Sequence, residues 1–191
     1  MSTKATNEIL RPSRLAHIVL KTANFEPLVN FWTTFLGAER MFENEFLAFL
    51  RYDEEHHRVA ILHDANATRA TSSIAGLHHV AFTFETLRGL LEAWKLRKEL
   101  GITPTWSVNH GPTTSIYYKD PDGNAIETQV DNFATVEEAN EFMVSKFFQE
   151  NPIGTDVNPE ELLRRLEAGA DETTLKKRVE IGIRHDIPAG V

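Results

Sequence analysis

Two stretches of the chain share one pattern of apolar and polar positions. Each begins with a short apolar run, typical of a buried β-strand, and continues with apolar residues at helical spacing that end before a glycine. The strands are predicted at 15–22 and 77–84, and the helices at 25–36 and 87–100, before Gly37 and Gly101. The second copy lies 62 to 64 residues after the first. The chain is therefore predicted to be duplicated.

Three short apolar segments with strand character follow each helix. They lie at about 39–43, 46–52 and 57–63 in the first half, and at 104–108, 113–119 and 124–130 in the second. Each half thus predicts a βαβββ module of the α+β class, over about 12–64 and 76–132. A curved four-stranded sheet has exposed edges and one apolar concave face, so we expect the two modules to pair around a cavity.

From about residue 133 the pattern becomes helical, interrupted by the segment NPIGTDVN. Asn158 before Pro159 is a plausible helix start, and Gly169 a plausible end. We therefore predict a two-module domain over 1–132 and a C-terminal helical appendage over 133–191. Its apolar residues indicate packing on that domain or on a second subunit, and we expect a homo-oligomer.

Composition narrows the class of partner. The formal net charge of −8 and the pI near 5.5 argue against nucleic acid and anionic lipid, which require a basic surface. The sequence has no apolar run of about 18 residues and no apolar core of a signal peptide, so we expect a cytoplasmic protein with a small-molecule substrate. Because the chain has no cysteine, any metal must be bound by nitrogen and oxygen ligands.

Two histidines occupy matching positions in the two halves. His17 lies among apolar residues, where an imidazole needs a partner. Alone, it would more often be a core histidine bonded to a backbone carbonyl. His79 stands at the same place in the second copy, however, so the two imidazoles are predicted to converge on the cavity as metal ligands.

Glu127 is the candidate third ligand. With Ile126 on the opposite face of its strand, the carboxylate is predicted to point toward the same cavity as His79. Two imidazoles and one carboxylate leave open coordination positions, as in non-haem Fe(II) oxygenases. A structural zinc site would require a fourth protein ligand, which the sequence does not obviously supply.

The pair His56-His57 precedes an apolar strand, and alternation allows only one of the two to face inward. If Val59 and Ile61 line the interior, His57 does as well; an exposed histidine pair is the alternative. His63 has the same parity but lies at the strand end, and is the weaker candidate.

His110 and Tyr117 are separated by a Gly-Pro loop, and both side chains could reach a bound substrate oxygen. Histidine titrates near neutral pH and tyrosine is a good hydrogen-bond donor, so both suit proton transfer. The alternative for Tyr117 is an ordinary strand aromatic, although the adjacent Tyr118 could fill that role. Trp106 could line an aromatic pocket or belong to the core.

The segment 108–127, VNHGPTTSIYYKDPDGNAIE, resembles the signature of the type I extradiol dioxygenases within the vicinal oxygen chelate superfamily. The matching positions are Val108, His110, Ile116, Tyr117, Asp120, Pro121, Gly123 and Glu127. The segment EHHRVAIL is also similar to the family segment whose second histidine is the acid/base residue. The resemblance covers about residues 12–132 and is of the one-domain form.

The resemblance implies Fe(II), or alternatively Mn(II), bound by His17, His79 and Glu127. It implies that His57, His110 and Tyr117 surround a catecholic substrate, with His57 as proton acceptor. The expected reaction inserts both atoms of O2 and opens the ring beside the diol, in the degradation of aromatic compounds. Catechol or 2,3-dihydroxybiphenyl is the expected type of substrate.

Two departures and two rival functions accompany this resemblance. The chain has length for one pair of modules where many relatives have two, and the polar loop at 64–76 is longer than expected. A glyoxalase-like isomerase or thiol transferase is one rival, although an isomerase would want a second carboxylate where this chain offers His57. A non-enzymatic binding protein is the other, and it would not need the His, His, Glu set.

Overall fold

The computed structural model describes residues 9–69 and 75–188, and the chain divides into two compact units, Met1–Thr68 and Arg69–Val191. The predicted loop at 64–76 lies partly outside the described residues, as do residues 1–8. Among the described residues, no helix is both long and apolar enough to cross a membrane.

The first unit is one βαβββ module. Its elements are β1 (Ile18–Thr22), α1 (Phe25–Leu36), β2 (Glu39–Glu43), β3 (Leu47–Arg51) and β4 (Val59–His63). The sheet has the order β1-β4-β3-β2, with β1 parallel to β4 and the other pairs antiparallel. Helix α1 ends at Gly37, whose φ of 60° is the left-handed conformation that glycine adopts without a steric penalty.

The core of the first unit lies between one face of helix α1 and one face of the sheet. Helix α1 buries Leu28, Val29, Trp32 and Phe35, spaced on one face of a helix. Val59 pairs with Leu50, and Ile61 pairs with Ala48; all four are buried. Burying a valine, leucine, isoleucine or phenylalanine side chain contributes about 1.5–3 kcal/mol to the stability of the fold. These residues therefore hold the helix against the sheet.

The second unit repeats the module and extends it. Its module contains β5 (His79–Phe84), α2 (Leu87–Glu99), β6 (Trp106–Asn109), β7 (Thr113–Lys119) and β8 (Ala125–Asp131). The tail adds α3 (Val136–Met143), α4 (Lys146–Glu150), β9 (Thr155–Asp156), α5 (Pro159–Glu167) and α6 (Glu172–Leu175). The five-stranded sheet has the order β5-β8-β7-β6-β9. The α+β class and the two βαβββ patterns are thereby confirmed.

The tail differs from the prediction of a purely helical appendage, because β9 joins the sheet of the second module. Asp156 pairs with Val108, and Thr155 pairs with Asn109. The predicted start of α5 at Asn158 is confirmed, since its side chain accepts hydrogen bonds from the backbone N–H groups of Glu160 and Glu161. Two paired residues are too few to give a recognisable strand pattern. The predicted domain boundary at residue 132 stays a prediction.

Candidate active site

One face of the second sheet carries a row of polar and aromatic side chains. The row crosses β6, β7, β8 and β5 through the paired residues Trp106, Tyr117, Glu127 and Ala81. Because directly paired residues point to the same face of a sheet, these four side chains share one face. His79 lies two residues before Ala81 on β5 and therefore shares that face. Strand register thus brings His79 beside Glu127, as the sequence predicts.

The Glu127 carboxylate is buried, with 5% of the residue exposed, and its Oε2 lies 3.0 Å from Nε2 of His79. Two ligand atoms that each lie about 2.1 Å from one metal ion at right angles are separated by about 3.0 Å. The distance between these two atoms therefore fits two neighbouring metal ligands. It equally fits a hydrogen bond that an Nε2–H group of His79 donates to the carboxylate. Within either unit, the described residues form no group of three metal-ligating side chains.

His110 and Tyr117 lie on the same face and contact each other. The Tyr117 hydroxyl is 2.9 Å from Nε2 of His110, while the Nδ1 of His110 is 2.5 Å from the carbonyl oxygen of Ile153. Burial lowers the pKa of His110, against the opposing effects of the Ile153 carbonyl and Glu127. Burial, the charge of Glu127 and a hydrogen bond to the Glu127 carboxylate raise the pKa of Tyr117, so its hydroxyl keeps its proton and is a donor with both Glu127 and His110 in reach.

Trp106 belongs to this cluster rather than to the core alone. Its ring stacks on Tyr117 at 5.1 Å between centroids, and meets His110 edge-on at 5.6 Å. His79 also meets Tyr117 edge-on, at 5.5 Å. Two further rings, Trp106 and His79, therefore pack against the pair formed by His110 and Tyr117 and restrict the orientation of its polar ends.

The first unit places His17 and His57 together. His17 immediately precedes β1 and is exposed, while the half-buried His57 lies 4.6 Å from it between ring centroids. The other side of His57 stacks on Phe49 at 4.3 Å. Burial, followed by the charges of His17 and His56, lowers the pKa of His57, which makes it a proton acceptor over a wider pH range.

The predicted face of His57 needs a correction. Phe49 pairs with Ala60 and shares its face, which is opposite to the face of Val59 and Ile61. Because His57 stacks on Phe49, it does not share the face of Val59 and Ile61. Alternation fails here because β4 begins only at Val59, so the two preceding residues are not held in register.

Sequence reasoning missed the part of the tail that contacts His110. The carbonyl of Ile153 and the guanidinium of Arg178, which donates to the His110 carbonyl at 3.1 Å, both come from beyond residue 132. The signal was present in the segment NPIGTDVN, where Asn and Gly mark a constrained turn. From its pattern alone, however, this segment is only a separator between helices.

Comparison with known proteins identifies the family. A model of the Glyoxalase/Bleomycin resistance protein/Dioxygenase superfamily matches residues 14–128. The chain belongs to this superfamily. It is the vicinal oxygen chelate group predicted from the motif, and the superfamily match contains every candidate residue of the site from His17 to Glu127.

Two curated relatives refine the placement within the superfamily. Biphenyl-2,3-diol 1,2-dioxygenase 2 of Rhodococcus globerulus is 42% identical over 157 residues, which are 82% of this chain and 83% of the relative. Biphenyl-2,3-diol 1,2-dioxygenase 3 of the same organism is 41% identical over 167 residues, covering 86% and 88%. The predicted relationship to the type I extradiol dioxygenases is confirmed. Both alignments extend well beyond the 115 residues of the superfamily match.

Solved structures agree on the fold. A lactoylglutathione lyase from Agrobacterium tumefaciens has a TM-score of 0.52 at 18% identity, over 62% of this chain and 94% of its own. A glyoxylase/bleomycin resistance protein/dioxygenase domain from Frankia sp. EAN1pec has a TM-score of 0.53 at 14% identity, over 63% and 99%. These likenesses concern the fold alone, because the same fold supports different reactions.

Proposed function

We propose that this enzyme is an extradiol dioxygenase that cleaves the ring of a biphenyl-2,3-diol type of catechol, using Fe(II). One observation carries the proposal: His79, Glu127, His110 and Tyr117 converge on one face of a sheet, at the positions of the dioxygenase motif. The chain is also 42% identical, over most of its length, to a dioxygenase named for that substrate.

The proposed ligands of Fe(II) are His17, His79 and Glu127. The spacing of 3.0 Å between His79 and Glu127 fits two neighbouring ligands, and the buried carboxylate gains a compensating cation. The residue set of nitrogen and oxygen donors suits Fe(II), and Mn(II) accepts similar ligands. When bound, the metal would lower the pKa of the phenolic hydroxyls and activate O2.

The other residues of the site, His57, His110 and Tyr117, transfer protons and bind the substrate. His57 accepts a proton from the diol, because burial lowers its pKa and so favours the neutral imidazole, which Phe49 and His17 orient. The Tyr117 hydroxyl keeps its proton and donates a hydrogen bond to a hydroxyl oxygen of the diol, in place of its contacts with Glu127 and His110. His110 holds the Tyr117 hydroxyl in place at the edge of Trp106.

A lyase or isomerase of the same fold is the second candidate. The likeness to a lactoylglutathione lyase concerns the fold, whereas the dioxygenase relatives share more than twice its sequence identity. The homo-oligomer, the choice of Fe(II) over Mn(II) and the cytoplasmic location stay predictions.

The test is oxygen uptake by the protein after anaerobic reconstitution with Fe(II). Biphenyl-2,3-diol, catechol and 3-methylcatechol are added in turn, and the formation of a yellow ring-opened product is followed. We expect rapid uptake with biphenyl-2,3-diol and slower uptake with the monocyclic diols. Metal binding without oxygen uptake on any diol would contradict the proposal and favour the isomerase.

A further inference from the structure

The C-terminal tail forms a backbone contact with His110 that determines which ring nitrogen carries the proton. A carbonyl oxygen only accepts hydrogen bonds, so the Nδ1 of His110, 2.5 Å from the Ile153 oxygen, must be the donor. The Nε2 of the neutral ring is then an acceptor that faces the Tyr117 hydroxyl at 2.9 Å, and the Glu127 carboxylate is a second acceptor for the single proton of that hydroxyl. The position of the proton on His110 is thus set from outside the module.

The Ile153 carbonyl is held in position by a tight turn. The Asn151 side chain, with the residue only 1% exposed, accepts from the N–H of Gly154 at 2.6 Å and donates to its carbonyl at 3.1 Å. Gly154 has a φ of 108°, and an added Cβ would lie 2.3 Å from the Asn109 oxygen and 2.8 Å from the Cα of His110. The turn therefore lies directly against the His110 backbone, at a distance that only glycine permits.

Arg178 joins the two sides of this contact. Its side chain is 2% exposed, and its guanidinium donates to the carbonyl oxygens of His110 at 3.1 Å, Asn151 at 2.7 Å and Phe147 at 3.1 Å. Glu180 balances the buried charge with two contacts, at 3.0 and 2.7 Å. Because the planar guanidinium presents five N–H donors in a fixed fork, lysine cannot replace all of these bonds.

We propose that Asn151 and Arg178 are positioning residues, which act through the Ile153 carbonyl to fix the tautomer and orientation of His110. This role in catalysis rests on the proposed function, whereas the tautomer itself does not. A partner that orients a histidine at an active site is worth about 10-fold to 100-fold in activity when it is lost.

The tautomer is tested by ¹⁵N NMR of the full-length protein labelled at histidine and prepared without added metal. The His110 signals are assigned by their loss in His110→Asn. We expect a neutral His110 with its proton on Nδ1 in the wild-type protein. A proton on Nε2 would overturn the proposal without reference to any enzymatic activity.

The positioning residues are tested with Arg178→Lys and Asn151→Ala. Arg164→Lys is the matched control, because Arg164 is exposed on α5 and pairs only with Glu161 among the contacts described. We expect both variants to give mixed His110 tautomers and to lower kcat about 10-fold or more, with KM for the diol nearly unchanged. The control should match the wild type in both measurements.

Each pattern of results has one meaning. Unchanged His110 signals in folded Arg178→Lys and Asn151→Ala would overturn the role of these residues, and so would changed signals with an unchanged kcat. Should Arg178→Lys not fold, Asn151→Ala carries the test, since it removes only the bonds to Gly154. A wild-type protein that shows the Nδ1 proton but consumes no oxygen on any diol would refute the proposed function alone.

Discussion

Replacing Gly154 with alanine should destabilise the protein much more than the same change at Gly169. Both glycines have positive φ, 108° at Gly154 and 90° at Gly169, so both variants place an L-residue in an unfavourable backbone conformation. The cost of that strain is about 1–2 kcal/mol. Only at Gly154 does the new Cβ meet other atoms, whereas nothing lies within 4 Å of it at Gly169.

The additional cost at Gly154 comes from two backbone atoms. The Asn109 oxygen at 2.3 Å and the His110 Cα at 2.8 Å cannot move away as a flexible side chain would. Forcing such an overlap costs about 1–3 kcal/mol more. We therefore expect Gly154→Ala to lose about 2–5 kcal/mol of unfolding free energy, and Gly169→Ala to lose about 1–2 kcal/mol.

Urea unfolding, followed by circular dichroism, measures the loss of unfolding free energy in both variants. In a thermal unfolding experiment, each kcal/mol lost should lower the Tm by about 2–4 °C in a chain of this size. Oxygen uptake is measured beside it. Gly154→Ala should lower kcat as well, since the turn must move away from His110. Equal losses of stability in the two variants would refute the close approach of this turn to the His110 backbone.

Three further substitutions test the proposed ligands and catalytic residues. Glu127→Ala should abolish Fe(II) binding measured by metal analysis, because it removes the buried carboxylate that we propose as a ligand. Glu92→Ala, on the exposed face of α2, should bind metal normally. His57→Ala should keep metal and diol binding and lower kcat by about 10²–10⁴. His63→Ala is its control and should retain full turnover. Full turnover in His57→Ala would refute the acid/base role. Tyr117→Phe should lower kcat with little change in the diol KM, and an unchanged kcat would exclude its hydroxyl from proton transfer.

The sequence predicted most of the module pattern because local rules determine it. Both apolar strands, both helices and their glycine ends follow from periodicity and helix termination. Alternation likewise predicts the shared face of His79 and Glu127. Tyr117 pairs with Glu127 because the turn between β7 and β8 sets their register, and the Asp120 side chain holds that turn by accepting hydrogen bonds from the backbone N–H groups of Asp122 and Asn124.

The remaining features depend on contacts distant in sequence. The face of His57 could not be inferred, because alternation holds only inside a paired strand and β4 starts two residues later. Strand β9 is too short to give a pattern, and Ile153 acts through its carbonyl, which every residue possesses. Arg178 lies 68 residues from His110, and nothing local indicates that the two meet.

Extradiol cleavage, as proposed for this enzyme, places both atoms of O2 in the product of ring opening. The most direct measurement is a single turnover of Fe(II)-loaded protein with biphenyl-2,3-diol under isotopically labelled dioxygen, quenched rapidly and analysed by mass spectrometry. We expect a yellow product that carries two labelled oxygen atoms. A product with one labelled atom or none, or recovery of the intact diol beside bound Fe(II), would contradict it.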